Sequence, residues 1–463
     1  MNIKKRIALA AIPAVMALSA TDVDSKVLLM SDSGWEVSFD GAANAFYNHS
    51  STGSKDDAGI EQDYTSYDTS SVVMTGQTST TGAEEVSSIS VGLLPNVWGF
   101  TVKAPTKNGL DVSGRLGLYT HMNADGSSGS NNTINIRETS LTVSGFFGSV
   151  LMGRSLGIHG SNAILNDMTL FGVGVNSGQI TGTTLGRIGV GYVYADWYPQ
   201  ITWTTPGIGP IGAKIGVMQA TQLHAEGTAN ATNTDTPRVE AQLDYNFNIQ
   251  DLGGYIWVNG QYQNVSRTEA EAVQFDVLNQ GNNTAAQLAA GIDGGEYDES
   301  VDVGALGFGT TLSFQGLKFV ATGFWNVGLG MQFQGNLANG YFGSLDTRGK
   351  ARHFYGGYLQ ATYDFGQGTN LGYSYGQNKQ VLTGEDSGQV NRVDAGTRTA
   401  ALQNYVESHI GMLWHNVTDD FRLIAEGSYT ESHWYMAGSK ENVGVSVGAF
   451  FFWYTFYQQF IIH

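Results

Sequence analysis

Every second residue of the stretch RVEAQLDYNF is apolar: Val239, Ala241, Leu243, Tyr245 and Phe247 alternate with Arg238, Glu240, Gln242, Asp244 and Asn246. A period of two places the two sets on opposite faces of a β-strand. The pattern recurs along the chain. Trp35, Val37, Phe39, Ala43, Ala45 and Tyr47 share one face, with Glu36, Ser38, Asp40 and Asn44 on the other. In TNLGYSYGQN, Leu371, Tyr373 and Tyr375 oppose Asn370, Gly372, Ser374 and Gly376. So extensive an apolar face needs a cover, and no stretch carries the period of helices that could supply one.

About sixteen such strands are expected, at 34–47, 97–106, 110–121, 134–145, 148–155, 197–206, 211–221, 238–248, 254–266, 301–314, 317–328, 353–365, 369–379, 403–415, 420–435 and 442–453. Their connections alternate between long polar loops and short turns such as Asn108-Gly109, a strong hairpin signal. Up-and-down hairpins with all long loops at one end describe a closed barrel. Lipid can cover the apolar face, because a closed barrel pairs every backbone group internally. Strands of about ten residues match the span of a tilted transmembrane strand. The fold class is therefore an all-β, antiparallel, transmembrane barrel with a polar lumen. Tyr47, Trp98, Trp203, Trp257, Trp325, Trp414 and Trp434 are expected in its interfacial girdles.

Composition agrees. Charged residues make up 14% of the 463, against about 25% in soluble proteins, and 62 Gly accompany only 7 Pro. No apolar run is long enough for a membrane helix. Residues 1–20, with Lys4, Lys5 and Arg6 before an apolar run, read as a signal peptide cut after Ser19 or Ala20, and 21–453 as the barrel. The absence of Cys suits an oxidising compartment. A net charge of -18 speaks against nucleic acid as a partner.

Enzymatic motifs are missing. Gly207, Gly209 and Gly212 match a dinucleotide pattern, but Pro210 and a following strand make a tight turn the better reading. The nine His are scattered; His121 and His409 are expected to face inward and His159 to lie in a long loop. No catalytic, cofactor or metal site is expected. Asp293, Glu296, Asp298 and Glu299 cluster in one loop, where solvation or cation bridging to lipopolysaccharide would satisfy them.

The stretch INIRETSLTVSGFFGSVLMGRSLGIHGSNAILNDMTLFGVG, followed by GTTLGRIGVGYVYADWYPQITWTTP, resembles the general diffusion porins of Gram-negative bacteria. The carrying features are a turn at Phe147-Gly148, a strand ending at Gly153-Arg154 and a long third loop. The resemblance implies an outer-membrane homotrimer of water-filled channels, each narrowed by that loop folded inward, passing small hydrophilic solutes and ions without reaction or cofactor. It also implies a basic wall facing acidic groups on the loop; Arg115 and Arg154 are the wall candidates and Asp167 the loop candidate. The family often has a basic residue where Leu151 stands. The alternative readings are a substrate-selective channel for sugars or organic anions and, from another class, a barrel enzyme or adhesin.

Alternation assigns five basic side chains to the lumen, Lys103, Arg115, Lys214, Arg238 and Arg422. It assigns eight acidic ones, Glu36, Asp40, Asp111, Glu240, Asp244, Asp364, Glu407 and Glu426. The excess of acid predicts a weak cation preference. Arg154 shares parity with the lipid-facing Val150 and Met152, so it needs a bulge or a strand end to reach the lumen. At the last strand, Phe450 and Phe452 are expected at the periplasmic rim. Residues 454–463, YTFYQQFIIH, would be an extension beyond the closed sheet.

Overall fold

The computed structural model describes residues 27–55, 85–122, 134–175, 183–207, 209–223, 231, 233–266, 300–335, 344–346, 349–384, 386–387, 403–435 and 439–453. The signal segment, the acidic loop at 293–299 and the tail 454–463 lie outside these residues.

The strands in chain order are β1 (Val27–Asp32), β2 (Trp35–Lys55), β3 (Glu85–Ser90), β4 (Asn96–Lys103), β5 (Asp111–Thr120) and β6 (Asn135–Gly145). Then come β7 (Gly148–Leu156), a short helix α1 (Ser161–Asn166), β8 (Trp197–Thr204), β9 (Ile211–Met218), β10 (Arg238–Ile249) and β11 (Leu252–Ser266). The chain continues with β12 (Ser300–Phe314), β13 (Leu317–Val327), β14 (His353–Asp364) and β15 (Thr369–Val381). It ends with β16 (Gln403–Asn416), β17 (Phe421–Trp434) and β18 (Ser439–Trp453). Each strand from β4 to β18 pairs antiparallel with the next, and β18 returns to β2 from Ser439↔Lys55 to Trp453↔Gly41, closing a sixteen-stranded barrel. The sixteen expected strands are these sixteen.

Two strands were not anticipated. On one side, β2 is flanked end to end by β3 and β4; on the other, by β18 and β1. Between β3 and β4 the apolar residues Val91, Leu93 and Leu94 turn inward and are buried.

The short turns hold the residues that tolerate positive φ, among them Asn108 with Gly109, and Gln315 with Gly316. The Gly207–Gly212 pattern is such a turn, between β8 and β9.

The outer wall is apolar as expected, with Leu243, Leu359, Tyr373 and Val445 each about half exposed. Tyr47, Trp98, Trp203 and Trp325 stand on it. Trp257, Trp414 and Trp434 do not: all three share the inward parity of their strands.

The reason is the interior, which is not uniformly wet. The third loop, between β7 and β8, carries a buried apolar cluster including Ile164, Met168, Leu170, Phe171, Val173 and Val190. It packs on inward-facing Phe46, Trp257, Phe324, Tyr358, Met412 and Phe450. On β16 this inverts the usual pattern. Val406, Ile410 and Met412 face in against the loop, while Glu407 and His409 face out. Tyr375 donates to Glu407 at 2.9 Å and Tyr373 lies 2.6 Å from His409, both from the outer face of β15. Glu407 and His409 are therefore not lumen residues. Phe450 and Phe452 likewise face in: they stack on each other at 5.3 Å and are capped edge-on by Phe171 at 5.6 and 5.4 Å. They stand at the short-turn end of the barrel, as expected, where the Phe452 N–H donates to Asp420 at 2.8 Å, but they serve there as part of the seat of the loop.

Candidate functional site: the inward-folded third loop and the facing wall

Two glutamates on distant strands hold the third loop by its backbone. Glu240 on β10 accepts the N–H groups of Ile158 and His159 at 2.6 and 2.7 Å. Glu426 on β17 accepts those of Val173 and Gly174, both at 2.8 Å. A buried carboxylate taking two amide donors satisfies its own charge and two backbone groups that the loop cannot pair internally. Gly172 lets the chain come this close: a Cβ there would collide with Glu426.

Neutral side chains complete the seat. Gln360 accepts from Met168 at 2.8 Å and donates to Asn166 at 3.1 Å, and the Tyr358 hydroxyl donates to Ala163 at 2.8 Å. Asn378 accepts from Gly191 at 2.9 Å and donates to Met331 at 2.8 Å, tying the loop to the connection that follows β13. From the other side, Leu93 donates to the Gly172 carbonyl at 2.8 Å.

Inward glycines make the room. A Cβ at Gly372 would stand 2.6 Å from the Met168 sulfur, one at Gly376 2.6 Å from an Arg187 nitrogen, and one at Gly307 2.6 Å from the Asn259 amide oxygen. The small inward face of TNLGYSYGQN is thus part of a bed for the loop.

The expected site residues fall into three groups. Glu240, Glu426 and Asp167 serve the loop. Asp167 accepts from its neighbour Thr169 through backbone and hydroxyl, at 2.9 and 2.7 Å, and from Tyr192 at 2.8 Å. Burial pushes its pKa up, against the pull of Arg187. It is a cap inside the loop, 4% exposed, and presents no charge to a passage. Arg238, also buried, lies 3.0 Å from Glu240, donates to Gln334 at 2.7 Å and Thr221 at 2.8 Å, and stacks on Tyr198 at 3.7 Å. Arg422 lies over the rings of Phe171 and Phe452 and donates to Asn416 at 2.7 Å.

The second group lines the wall away from the loop's seat. Arg115 donates to both carboxylate oxygens of Asp40, at 2.9 and 3.0 Å, and its Nε lies 3.1 Å from Glu138. Glu138, absent from the alternation tally, faces the lumen on the parity of Ser140 and Thr142; the bulge in the β5–β6 register lies just before it, at residue 137. Lys103 lies 3.9 Å from Asp111, and Lys214 stands on β9 one strand from Asp244. Ser113, Arg115, Ser140, Thr142, Ser149 and Lys214 are partly exposed, in contrast to the covered inward face of β15 to β17.

The third group faces out. Glu407 has been described; Arg154 is exposed beside Met152 on the outer face of β7, where neither bulge nor strand end turns it inward. The transverse pairing of loop acid with wall base is therefore not built from Asp167 and Arg154.

His159 is buried, its Nδ1 2.9 Å from Asn259, and burial pushes its pKa down to about 4, leaving the ring neutral. Among the described residues, no group of three or more His, Cys, Asp or Glu could hold a metal ion.

Among solved structures, the chain is similar to the outer membrane channel DcaP of Acinetobacter baumannii (14% identity, TM-score 0.58, covering 92% of this chain and 99% of that one). It is similar also to an anion-selective porin from Comamonas acidovorans (13%, 0.53, 90% and 99%) and to Salmonella typhi OmpF (12%, 0.50, 91% and 99%). At such identities the likeness concerns the fold. No curated protein matches by sequence. A family model described as Gram-negative porin matches residues 7–397. The chain belongs to that family, the porins, and is an outer-membrane channel for passive diffusion.

Proposed function

We propose that small hydrophilic solutes and ions pass between the third loop and the wall formed by β4 to β9, with a weak preference for cations. The supporting observation is Arg115, a wall guanidinium flanked by two carboxylates, Asp40 and Glu138, so that the group carries net negative charge. Charges in a confined aqueous pore act with little screening, so a few such groups set selectivity. Asp167 contributes no opposing charge, because it is turned into the loop's own fold. The working unit is a homotrimer in contact with outer-membrane lipid and lipopolysaccharide, and the chain carries out no reaction.

Single-channel recording in a planar bilayer tests this. Expected are ohmic steps and a zero-current potential of cationic sign under a salt gradient. An anionic sign would refute the preference, and absence of conductance by the folded protein would refute the passage.

A further inference from the structure

The connection between β13 and β14 also turns into the barrel. Gly328 and Gly330, both at positive φ, reverse the chain as it leaves β13. Inward Asn326 fixes the reversal, accepting from Leu329 at 3.2 Å and donating to Gly330 at 3.0 Å. The Gly328 N–H donates to the Arg352 carbonyl and the Gly335 N–H to the Leu329 carbonyl, both at 2.8 Å. The segment is thus closed at its neck and folded back on itself, with Leu329, Met331, Gln332 and Gln334 buried.

Its path crosses the lumen. Asn378 on β15 donates to the carbonyls of Met331 at 2.8 Å and Tyr192 at 3.3 Å, gripping this segment and the third loop together. The Tyr194 N–H donates to the Gln332 carbonyl at 2.8 Å, and the Phe333 ring stands edge-on to Tyr194 at 6.0 Å. Gln334 donates to the carbonyls of Tyr194 and Ala195 at 3.2 and 3.3 Å and accepts from Arg238 on β10 at 2.7 Å. Gly335 lies so close to Gln222, after β9, that a Cβ there would collide with the Gln222 carbonyl. A chord from β13 to β10 thus rests on the return limb of the third loop, spanning the sector of β11 and β12.

We propose that Gly328–Gly335 is a second constriction element, which narrows the long-loop mouth of the channel and sets the size limit for solutes without contributing to charge selection. Its sequence, GLGMQFQG, has no charged residue. Irregular backbone inside a barrel is stable only where its polar groups are paired, and Asn326, Asn378 and the third loop pair them here. Gln334, held at both ends of its amide, is the latch and acts by position. Phe333, alone among residues 331–335 in being only partly buried, is the side chain a passing solute would touch. The inference rests on the passage proposed above but not on its cation preference. Failure of the passage would show as lost conductance, and failure of this inference as an unmoved size limit.

Liposome swelling in neutral oligosaccharides of increasing length tests this on the full mature chain. Two variants are compared with the parent: Gln334→Ala, and a chain in which two glycines replace Gly330–Gln334. Leu329 and Gly335 are already hydrogen-bonded, so the short spacer joins them without pulling on β13. Both variants are expected to admit the first oligosaccharide that the parent excludes, the shortened chain severalfold faster than Gln334→Ala. The zero-current potential under a salt gradient should stay at the parent value. Bilayer conductance reports that each barrel has formed, and protease cleavage between 168 and 190 at the parent rate reports that the third loop is still seated. Should the shortened barrel not form, Gln334→Ala alone decides. The proposal is overturned if the size limit does not move. It is overturned also if larger sugars pass only together with faster cleavage at 168–190, which would assign the limit to the third loop alone.

Discussion

Replacing Glu426 by Ala removes the acceptor of two amide hydrogen bonds at 2.8 Å and leaves the N–H groups of Val173 and Gly174 buried and unpaired. Hydrogen bonds to a charged group contribute about 1.5–3 kcal/mol each, so the seated loop should lose roughly 3–6 kcal/mol. Glu240, Gln360, Tyr358 and Asn378 still hold the loop elsewhere, and the backbone ladder of β17 is untouched. The barrel is thus expected to form while the middle of the loop lifts. About 3 kcal/mol corresponds to a roughly 150-fold larger unseated population. Single-channel recordings should show larger conductance with more open-state noise, and protease should cut between 168 and 190 faster. Glu426→Gln, which keeps one acceptor oxygen, should fall between. Conductance, noise and cleavage all unchanged in a folded Glu426→Ala barrel would refute the clamp.

Gly376→Val should unseat the loop by steric conflict with the Val190 carbonyl and Arg187, destabilising by about 1–3 kcal/mol and raising conductance. Gly427→Val, whose Cβ has open space outside the wall, is the control and should change neither. Arg115→Gln leaves Asp40 and Glu138 uncompensated and should move the zero-current potential further toward cations; Asp40→Asn with Glu138→Gln should move it toward anions. The buried Arg352–Asp386 pair at 2.8 Å ties the approach to β14 to the connection after β15. Burial pushes Asp386 up, yet Arg352 and Thr383 hold it below the usual carboxylate range. Its stabilisation is therefore present above the unfolded value of about 3.9 and is lost as pH falls through the lower folded value. Hydrogen exchange at the Thr383 and Asp386 amides should accelerate only at such acid pH, and Arg352→Met should abolish that dependence.

The barrel was legible because lipid imposes one rule on every outer residue, and alternation records it directly. RVEAQLDYNF and TNLGYSYGQN keep the faces they were assigned. Reading failed where protein replaced water on the inside. On β16, Trp414 was assigned to a girdle, which set the parity of the strand wrongly and sent Glu407 and His409 inward. In fact Val406, Ile410 and Met412 face an apolar loop, so the strand is apolar inside and polar outside. Asp167 was found as the acid of the loop, but its sequestration depends on Tyr192, twenty-five residues away, which no local pattern links to it. Glu138 was left out of the tally although it shares the parity of Ser140 and Thr142; only the residues before it, beyond the bulge at 137, depart from simple alternation. The unexplained 62 Gly held a signal: those on the inward faces of β12 and β15 mark where something packs closely.

The bed of the third loop also fixes the order in which the molecule can be completed. The loop is made early in the chain, but Gln360, Asn378 and Glu426, on which it rests, follow it by 192, 187 and 253 residues. Until β17 and β18 are in place, Phe171 lacks Phe450 and Phe452, and Val173 lacks its acceptor Glu426. Closing so long a segment of chain is entropically slow compared with zipping adjacent hairpins. The narrowing of the channel is therefore a late event in folding, added to a wall that must first stand without it.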